Sequence, residues 1–374
     1  MIDILDSDSE EEYDEIIGQI FFNKYQCIKK IGQGSFGQIY EAHYKNVKYA
    51  LKLENRKKDY NLLQNEAVII NYLKGPNIPF VKSFGFTSYY NIIVMQLLGK
   101  SLENLLLERK MFSLKTVCML GYQMINILEF IHEKHIVHRD IKPDNFVMGL
   151  EELSNMVYLV DFGLAKKYRS MTTLIQYPMI KKDKLTGTAR YASINALKGY
   201  EHSRRDDLES IGYLLIYFLK GKLPWQGINA KTKEEKYIKI LEKKIEINSN
   251  ELCDGIPTEF VEFLEYIKNL EYNDKPEYEM LRHLFDNIMK KNKFNYDYIY
   301  DWTTLEEIES RNNTRSKIEP TNGDTLSYQD IERIYYSDKI INFKSYQIQR
   351  NCKLNKNFTN QESPVCCTST CIIF

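Results

Sequence analysis

His138-Arg139-Asp140-Ile141-Lys142-Pro143-Asp144-Asn145, followed sixteen residues after Asn145 by Asp161-Phe162-Gly163, is the stretch on which the reading of this chain turns. Among its side chains are Asp140, Asp161, Asn145 and Lys142, and one kind of chemistry uses all four. Phosphoryl transfer needs a carboxylate beside the attacking hydroxyl, oxygen ligands for the magnesium ions that neutralise the phosphates, and a cation near the migrating group. Asp140 would supply the carboxylate, Asn145 and Asp161 the metal ligands, and Lys142 the cation. A charged turn whose aspartates only cap loops would account for each residue singly, but not for two ordered motifs at this spacing.

Working upstream, Ile31-Gly32-Gln33-Gly34-Ser35-Phe36-Gly37-Gln38-Ile39 is a GxGxxG between two predicted strands. Alone it is a weak signal, since glycines at a turn often serve only the backbone angles of a hairpin. Its setting decides: a dinucleotide fold would place a helix directly after the glycines, whereas Ile39-Tyr40-Glu41-Ala42 continues as strand. Glycines at a hairpin tip let backbone N–H groups approach phosphate oxygens. Fifteen residues after Gly37, Lys52 lies on the alternating strand Tyr49 to Glu54, with Ala50 and Glu54 on its face, and Glu66 follows on a helix predicted around Leu62 to Leu73. Either could be an ordinary surface charge. Together they match the ion pair that aims a lysine at nucleotide phosphates.

Downstream of Leu102 the helical period dominates, with Val117, Leu120, Met124, Leu128 and Ile131 recurring at three- and four-residue steps. A small strand-rich lobe followed by a larger helical one is therefore expected, an α+β fold. With 374 residues, 43% of them apolar, the chain can bury such a two-lobed core. Its 51 basic and 51 acidic side chains cancel, which argues against a nucleic-acid partner. No run approaches the roughly 18 apolar residues of a spanning helix, and the N-terminus lacks the pattern of a secretory signal. Cys27, Cys118, Cys253 and Cys352 are scattered, as in a chain with reduced thiols. Residues 1–20 read as an acidic, disordered arm in which Ser9, with Asp6 three residues before it, is a possible autophosphorylation or pseudosubstrate site. Residues 303–374 form a polar tail.

The two motifs resemble those of the eukaryotic protein kinases, and Lys142 before Pro143 is the form of their serine/threonine members. A narrower resemblance follows from three blocks: Leu185-Thr186-Gly187-Thr188-Ala189-Arg190-Tyr191-Ala192-Ser193-Ile194-Asn195, Ser203-Arg204-Arg205-Asp206-Asp207-Leu208-Glu209-Ser210, and Leu223-Pro224-Trp225-Gln226-Gly227. With Ser-Ile-Asn where most kinases carry Ala-Pro-Glu, the chain is similar to the casein kinase 1 family from about Tyr25 to Trp302. The resemblance implies a bilobal protein kinase domain over 21–302, its lobes meeting near 98, acting as a monomer with ATP and Mg2+. It implies catalytic roles for Asp140, Lys142, Lys52 and Glu66, and nucleotide contacts from Ile31 through Ile39, Ala50, Lys52, Met95 as gatekeeper, and Gln96 and Leu98 in the hinge. Asp207 would brace the catalytic loop. Substrates would be proteins with acidic or phosphorylated residues before the target, read by Arg190 and Lys236, with Lys184 adding charge. Two departures stand out: Asp183 where relatives often carry lysine, and Asn104 where an acidic residue often touches the ribose. No activation-loop phosphate should be needed.

The chain ends in Cys366-Cys367-Thr368-Ser369-Thr370-Cys371-Ile372-Ile373-Phe374. Cys371 begins a C-a-a-X box whose terminal Phe favours geranylgeranyl, and because one lipid binds membranes only reversibly, Cys366 and Cys367 are expected palmitoylation sites. From Lys339 onward five basic residues face only Glu362, a modest attraction to anionic lipid. These features predict residence at the cytoplasmic face of a membrane, with a cytoplasmic pool. Three thiols without a fourth ligand at a familiar spacing make a poor zinc site. The competing reading is a catalytically weak kinase-fold scaffold recruited by its lipidated tail, yet none of Lys52, Asp140, Asn145 or Asp161 is missing.

Overall fold

The structure, a computed structural model, describes residues 14–34, 37–57, 62–182 and 184–309. Ser9, Ser35, Phe36, Asp183, Cys352 and the tail cysteines Cys366, Cys367 and Cys371 lie outside the described residues.

β-Branched and aromatic residues in short runs build an antiparallel sheet. Its strands are β1 (Ile20–Phe21), β2 (Tyr25–Gly34), β3 (Gly37–Tyr44), β4 (Val47–Asn55), β5 (Val81–Phe86) and β6 (Tyr90–Gln96), in spatial order β1-β2-β3-β4-β6-β5, with helix α1 (Leu62–Leu73) between β4 and β5 in the chain. The central strand β4 explains how a lysine comes to be buried. One face puts Tyr49, Leu51 and Leu53 into a core shared with Tyr40, Ile92 and Val94, while the other puts Ala50 and Lys52 toward α1 and the cleft. Residues 14–20, expected within the arm, instead belong to this lobe. Ile16 is buried in the sheet's outer core, and Asp14 accepts a hydrogen bond from the Tyr40 hydroxyl at 2.7 Å.

The second lobe is helical: α2 (Leu102–Arg109), α3 (Leu114–Glu133), α4 (Ile194–Leu197), α5 (Arg204–Lys220), α6 (Lys233–Glu246), α7 (Ser249–Leu252), α8 (Glu259–Lys268) and α9 (Tyr278–Lys291). The periodic residues of α3 are all buried, and α3 packs against α5 and α9. Four short strands, β7 (Ile136–Val137), β8 (Phe146–Met148), β9 (Val157–Leu159) and β10 (Lys166–Lys167), pair as β7 with β10 and β8 with β9. They position the site, because the Asp140 stretch links β7 to β8 and Asp161-Phe162-Gly163 links β9 to β10. Trp302 closes the lobe against Phe112 and Tyr300, each ring 5.0 Å away. No helix among the described residues is long and apolar enough to cross a membrane. Burial raises the Cys27, Cys118 and Cys253 thiols to about 12, 12 and 11, which leaves them unreactive.

Candidate active site

A cleft of about 1030 Å³ runs between the lobes, large enough for a nucleotide and part of a second substrate together. Its roof is the β2–β3 hairpin, where Gly34 pairs with Gly37. The glycines differ in what they do. A Cβ on Gly34 would meet nothing within 4 Å, whereas one on Gly37 would lie 2.1 Å from the Leu53 carbonyl oxygen, so Gly37 is required by the approach of β4. Ile31, Gly32, Gln33, Gly34, Gly37, Ile39, Ala50, Lys52, Met95, Gln96 and Leu98 all line the cleft. Gln38 does not; its side-chain oxygen accepts the Tyr40 hydroxyl at 3.0 Å. Leu97, Val147 and Val160, which sequence reasoning missed, complete the apolar walls. At the hinge the Gln96 amide is spent on Phe80 O at 3.0 Å, while the Leu98 amide and carbonyl enter no hydrogen bond among the described residues and remain for an adenine edge.

Lys52 stands between two carboxylates, 2.6 Å from Glu66 Oε2 and 2.8 Å from Asp161 Oδ1. Burial opposes its charge, but the two carboxylates outweigh burial and hold the ammonium above its ordinary value. Burial likewise pushes Glu66 up to about 7, with Lys52 restraining the rise and Asp161 adding to it. Asp161 stays low, because Lys52 and then Lys142 overcome its desolvation. Asn65, one residue before Glu66, donates to Gly163 O at 3.1 Å, which ties α1 to the Asp161 turn. Phe162 is fully buried beneath the His138 ring, 5.0 Å between centroids. The lysine–glutamate pair and the aspartate are thus in place at once, the condition for phosphoryl transfer.

Asp140 takes three contacts from different elements. Lys142 Nζ lies 2.9 Å from Oδ2, Thr188 Oγ1 donates to Oδ1 at 2.8 Å, and Asn145 Nδ2 donates to the backbone oxygen at 2.8 Å. That last bond orients the carboxamide, leaving Asn145 Oδ1 without a partner among the described residues. With Asp161 it offers hard oxygen donors of the kind magnesium prefers, and phosphate oxygens and water would complete the shell. The ion would neutralise phosphate charge, while Asp140 would hold the attacking hydroxyl with Lys142 beside it. The loop itself hangs from Asp207, fully buried, whose carboxylate accepts the amides of His138 at 2.7 Å and Arg139 at 2.9 Å and the His132 ring at 3.0 Å. Two positive-φ residues at the site, Arg139 at 69° and Asp161 at 64°, carry strain that these bonds offset.

The three downstream blocks of sequence knit together around this loop. Ser193 donates to Asp206 at 2.5 Å, the Ile194 amide donates to Glu209 at 2.8 Å, and Trp225 Nε1 donates to Arg190 O at 2.7 Å. Lys244, buried on α6, donates to Ala192 O at 2.5 Å with its Nζ over Tyr213 and Trp225, 4.2 and 4.8 Å from the ring centroids, and burial draws the group down to about 7. Glu201 collects Lys182 at 2.6 Å, Lys166 at 3.1 Å and Arg139 at 3.4 Å. Burial works against its charge, but Lys182 and Lys166 hold the carboxyl down to about 2. The arginine beside the catalytic aspartate therefore already has a fixed anionic partner.

Arg190 and Lys236 both line the far end of the cleft, joined by Lys233, Trp225, Gln226 and Tyr237. Lys184 lines a separate small depression with Lys182 and Glu201. Glu103, on the first turn of α2, also faces the cleft, its carboxyl raised by burial and by Asp144 and drawn back by Arg190.

Fold and site together define a phosphotransferase that works with ATP and, as such enzymes usually do, Mg2+. The family model for the protein kinase domain matches residues 25–291, most of the chain, and the protein belongs to that family.

Proposed function

We propose that this protein kinase phosphorylates serine and threonine, that it is of casein kinase 1 type, and that it prefers protein substrates with an acidic or already phosphorylated residue shortly before the target. The observation that carries the reading is the far end of the cleft, which Arg190, Lys233 and Lys236 all line and where none has a carboxylate at ion-pair distance among the described residues. Three cations within one cleft are a place for an anion to bind. Lys142 beside Asp140, with Thr188 on its other oxygen, supports serine and threonine as acceptors. The full complement of Lys52, Glu66, Asp140, Asn145 and Asp161 favours an active enzyme over a scaffold.

The test compares one peptide with and without phosphoserine three residues before its target serine. Phosphorylation of the primed peptide should be at least about tenfold more efficient, the value of a well-formed charge-assisted contact. Arg190→Ala should remove that advantage while sparing the unprimed peptide. Equal rates on the two peptides with the wild type would end the substrate reading. For the tail, we propose prenylation at Cys371 and palmitoylation at Cys366 and Cys367, placing the kinase at the cytoplasmic face of a membrane. Fractionation of Cys371→Ser beside wild type tests this, and a variant that stays on membranes rules prenylation out as the anchor.

A further inference from the structure

Between β10 and the Leu185 block the chain crosses the surface as Arg169-Ser170-Met171-Thr172-Thr173-Leu174-Ile175-Gln176-Tyr177-Pro178-Met179-Ile180-Lys181. Met171, Leu174, Ile175, Tyr177, Met179 and Ile180 are all exposed, Ile175 at 69% and Leu174 at 54%. None of the six packs onto either hydrophobic core. Isolated exposed apolar residues mean little, but six within ten positions of one segment call for a partner.

The tip is built rather than loose. Arg169 and Gln176 form an antiparallel bridge, the Ser170 amide donates to Ile175 O at 2.9 Å, and the Leu174 amide donates to Ser170 O at 3.1 Å. Ser170 Oγ accepts the Thr173 amide at 3.1 Å. Closing this loop holds Leu174 at φ 59°, a conformation a leucine rarely adopts, with its side chain outward. A leucine kept in the left-handed region at an exposed tip, where asparagine or glycine would fit more easily, is a costly choice if its side chain contacts only water.

Cations flank the loop on both sides. At its base the Arg169 guanidinium donates to His135 Nδ1 at 2.7 Å, and Arg169, Lys167 and Lys134 together hold that imidazole below its ordinary range after burial. On the far side Lys181 and Lys184 are exposed, and Lys198 follows on the turn where Gly199 O accepts the Lys182 amide. Of the carboxylates near the loop, Glu201 is engaged by Lys166 and Lys182 and Asp274 accepts the Glu271 amide, while Glu133 and Glu271 form no ion pair among the described residues. Nothing from residues 168–184 lines the substrate cleft.

We propose that this loop is a lipid-contact surface, inserting Leu174 and Ile175 into the headgroup region of an anionic membrane while the flanking lysines and Arg169 meet the lipid charges. Apolar side chains at a rigid tip with a basic surround are the chemistry of interfacial binding, and the cations match anionic headgroups. A contact made here leaves the cleft open to protein substrates. It is separate from the lipid proposed on the tail, and gives the domain an orientation that a lipid on the tail alone would not.

The test uses the full chain without prenylation, so the tail lipid plays no part. Co-sedimentation with phosphatidylcholine vesicles is compared with vesicles that also contain phosphatidylserine. Wild type should bind the anionic vesicles at least about tenfold better, less so as salt is raised. Leu174→Asn combined with Ile175→Ser should lower that binding about tenfold or more, with unchanged thermal stability and unchanged activity on a soluble acidic peptide. No preference for anionic vesicles in the wild type overturns the proposal. So does undiminished binding by the double variant, which would assign the interaction to the basic tail. If instead the double variant keeps its vesicle binding but loses activity on a folded protein substrate, the loop is a protein dock and the lipid assignment is wrong.

Discussion

The two ends of the cleft treat positive charge in opposite ways. At the nucleotide end every catalytic cation is paired within the protein, Lys52 with Glu66 and Asp161 and Lys142 with Asp140. At the far end Arg190, Lys233 and Lys236 have no carboxylate at ion-pair distance among the described residues. Pairing fixes a side chain before substrate arrives, which is what a reaction sensitive to small displacements requires. Leaving cations unpaired reserves them for charge that a ligand brings. On the proposed reading the same residue types do positioning work at one end and recognition at the other, and single substitutions should separate the two.

The largest effect is expected at the paired end. Asp140→Asn keeps the shape but removes the carboxylate that would hold the attacking hydroxyl, and kcat should fall by about 10²–10⁴ on primed and unprimed peptides alike. Steady-state kinetics on the two peptides checks it. A loss confined to the primed peptide would break the comparison, because it would place Asp140 in recognition rather than chemistry.

Between the two ends lies Lys244, which is buried beneath the segment that carries both Thr188 and Arg190. Its Nζ donates to Ala192 O at 2.5 Å. Lys244→Met would leave that buried carbonyl unpaired, at a cost of about 1–3 kcal/mol. The unfolding midpoint should drop by several degrees and KM for the primed peptide should rise, with KM for ATP little changed. A rise in KM for ATP of equal size would show that the two ends are not separable.

A smaller effect concerns Glu201, which pairs with Arg139, Lys166 and Lys182 beside the catalytic loop. Its carboxyl is held down to about 2 from an ordinary 4.5. The sign follows from that direction: a carboxylate depressed in the folded state contributes stability above 4.5 that disappears as the pH falls toward about 2. The stability gap between wild type and Glu201→Gln, followed by denaturant titration, should be widest near neutrality and narrow through that window. A gap that stays constant on acidification would mean that charge is not what Glu201 contributes.

How much of this was legible in the sequence depends on whether a residue's role is local. Asp140, Lys142, Asn145, Asp161 and the glycine hairpin stand in ordered motifs, and strand β4 and helices α1 and α3 announce themselves by period. The role of Gly37 was legible only in part, because the clash its Cβ would make is with Leu53, on a neighbouring strand. Lys244 was not legible at all: it stands next to Lys243 in a lysine-rich helix, and only the tertiary arrangement of Tyr213, Trp225 and Ala192 around it shows that one is buried and the other solvated. Composition alone places Asp14 and Ile16 in the acidic arm, because it carries no information about the Tyr40 hydroxyl that donates to Asp14. Lys184, which the resemblance implies adds charge beside Arg190, lines a different depression, a separation that only the folded segment shows.

The smallest predicted effect tests whether the paired end is optimised for nucleotide. Asn104 lines the cleft on the first turn of α2, where Ser101 Oγ lies 2.8 Å from its Oδ1 and accepts its backbone amide at 3.2 Å. The carboxamide oxygen is therefore engaged with the cap, and what remains facing a nucleotide sugar is an amide donor. Asn104→Asp would keep the contact from Ser101 and add a second acceptor oxygen for a ribose hydroxyl. Its charge would sit at a helix N-terminus, which favours anions by about 0.3–1 kcal/mol. Stability should rise slightly and KM for ATP should fall about two- to fivefold, the range of one weak hydrogen bond, with kcat unchanged. An unchanged KM with raised stability would show that this position serves the helix cap and that the nucleotide end gains nothing from further charge.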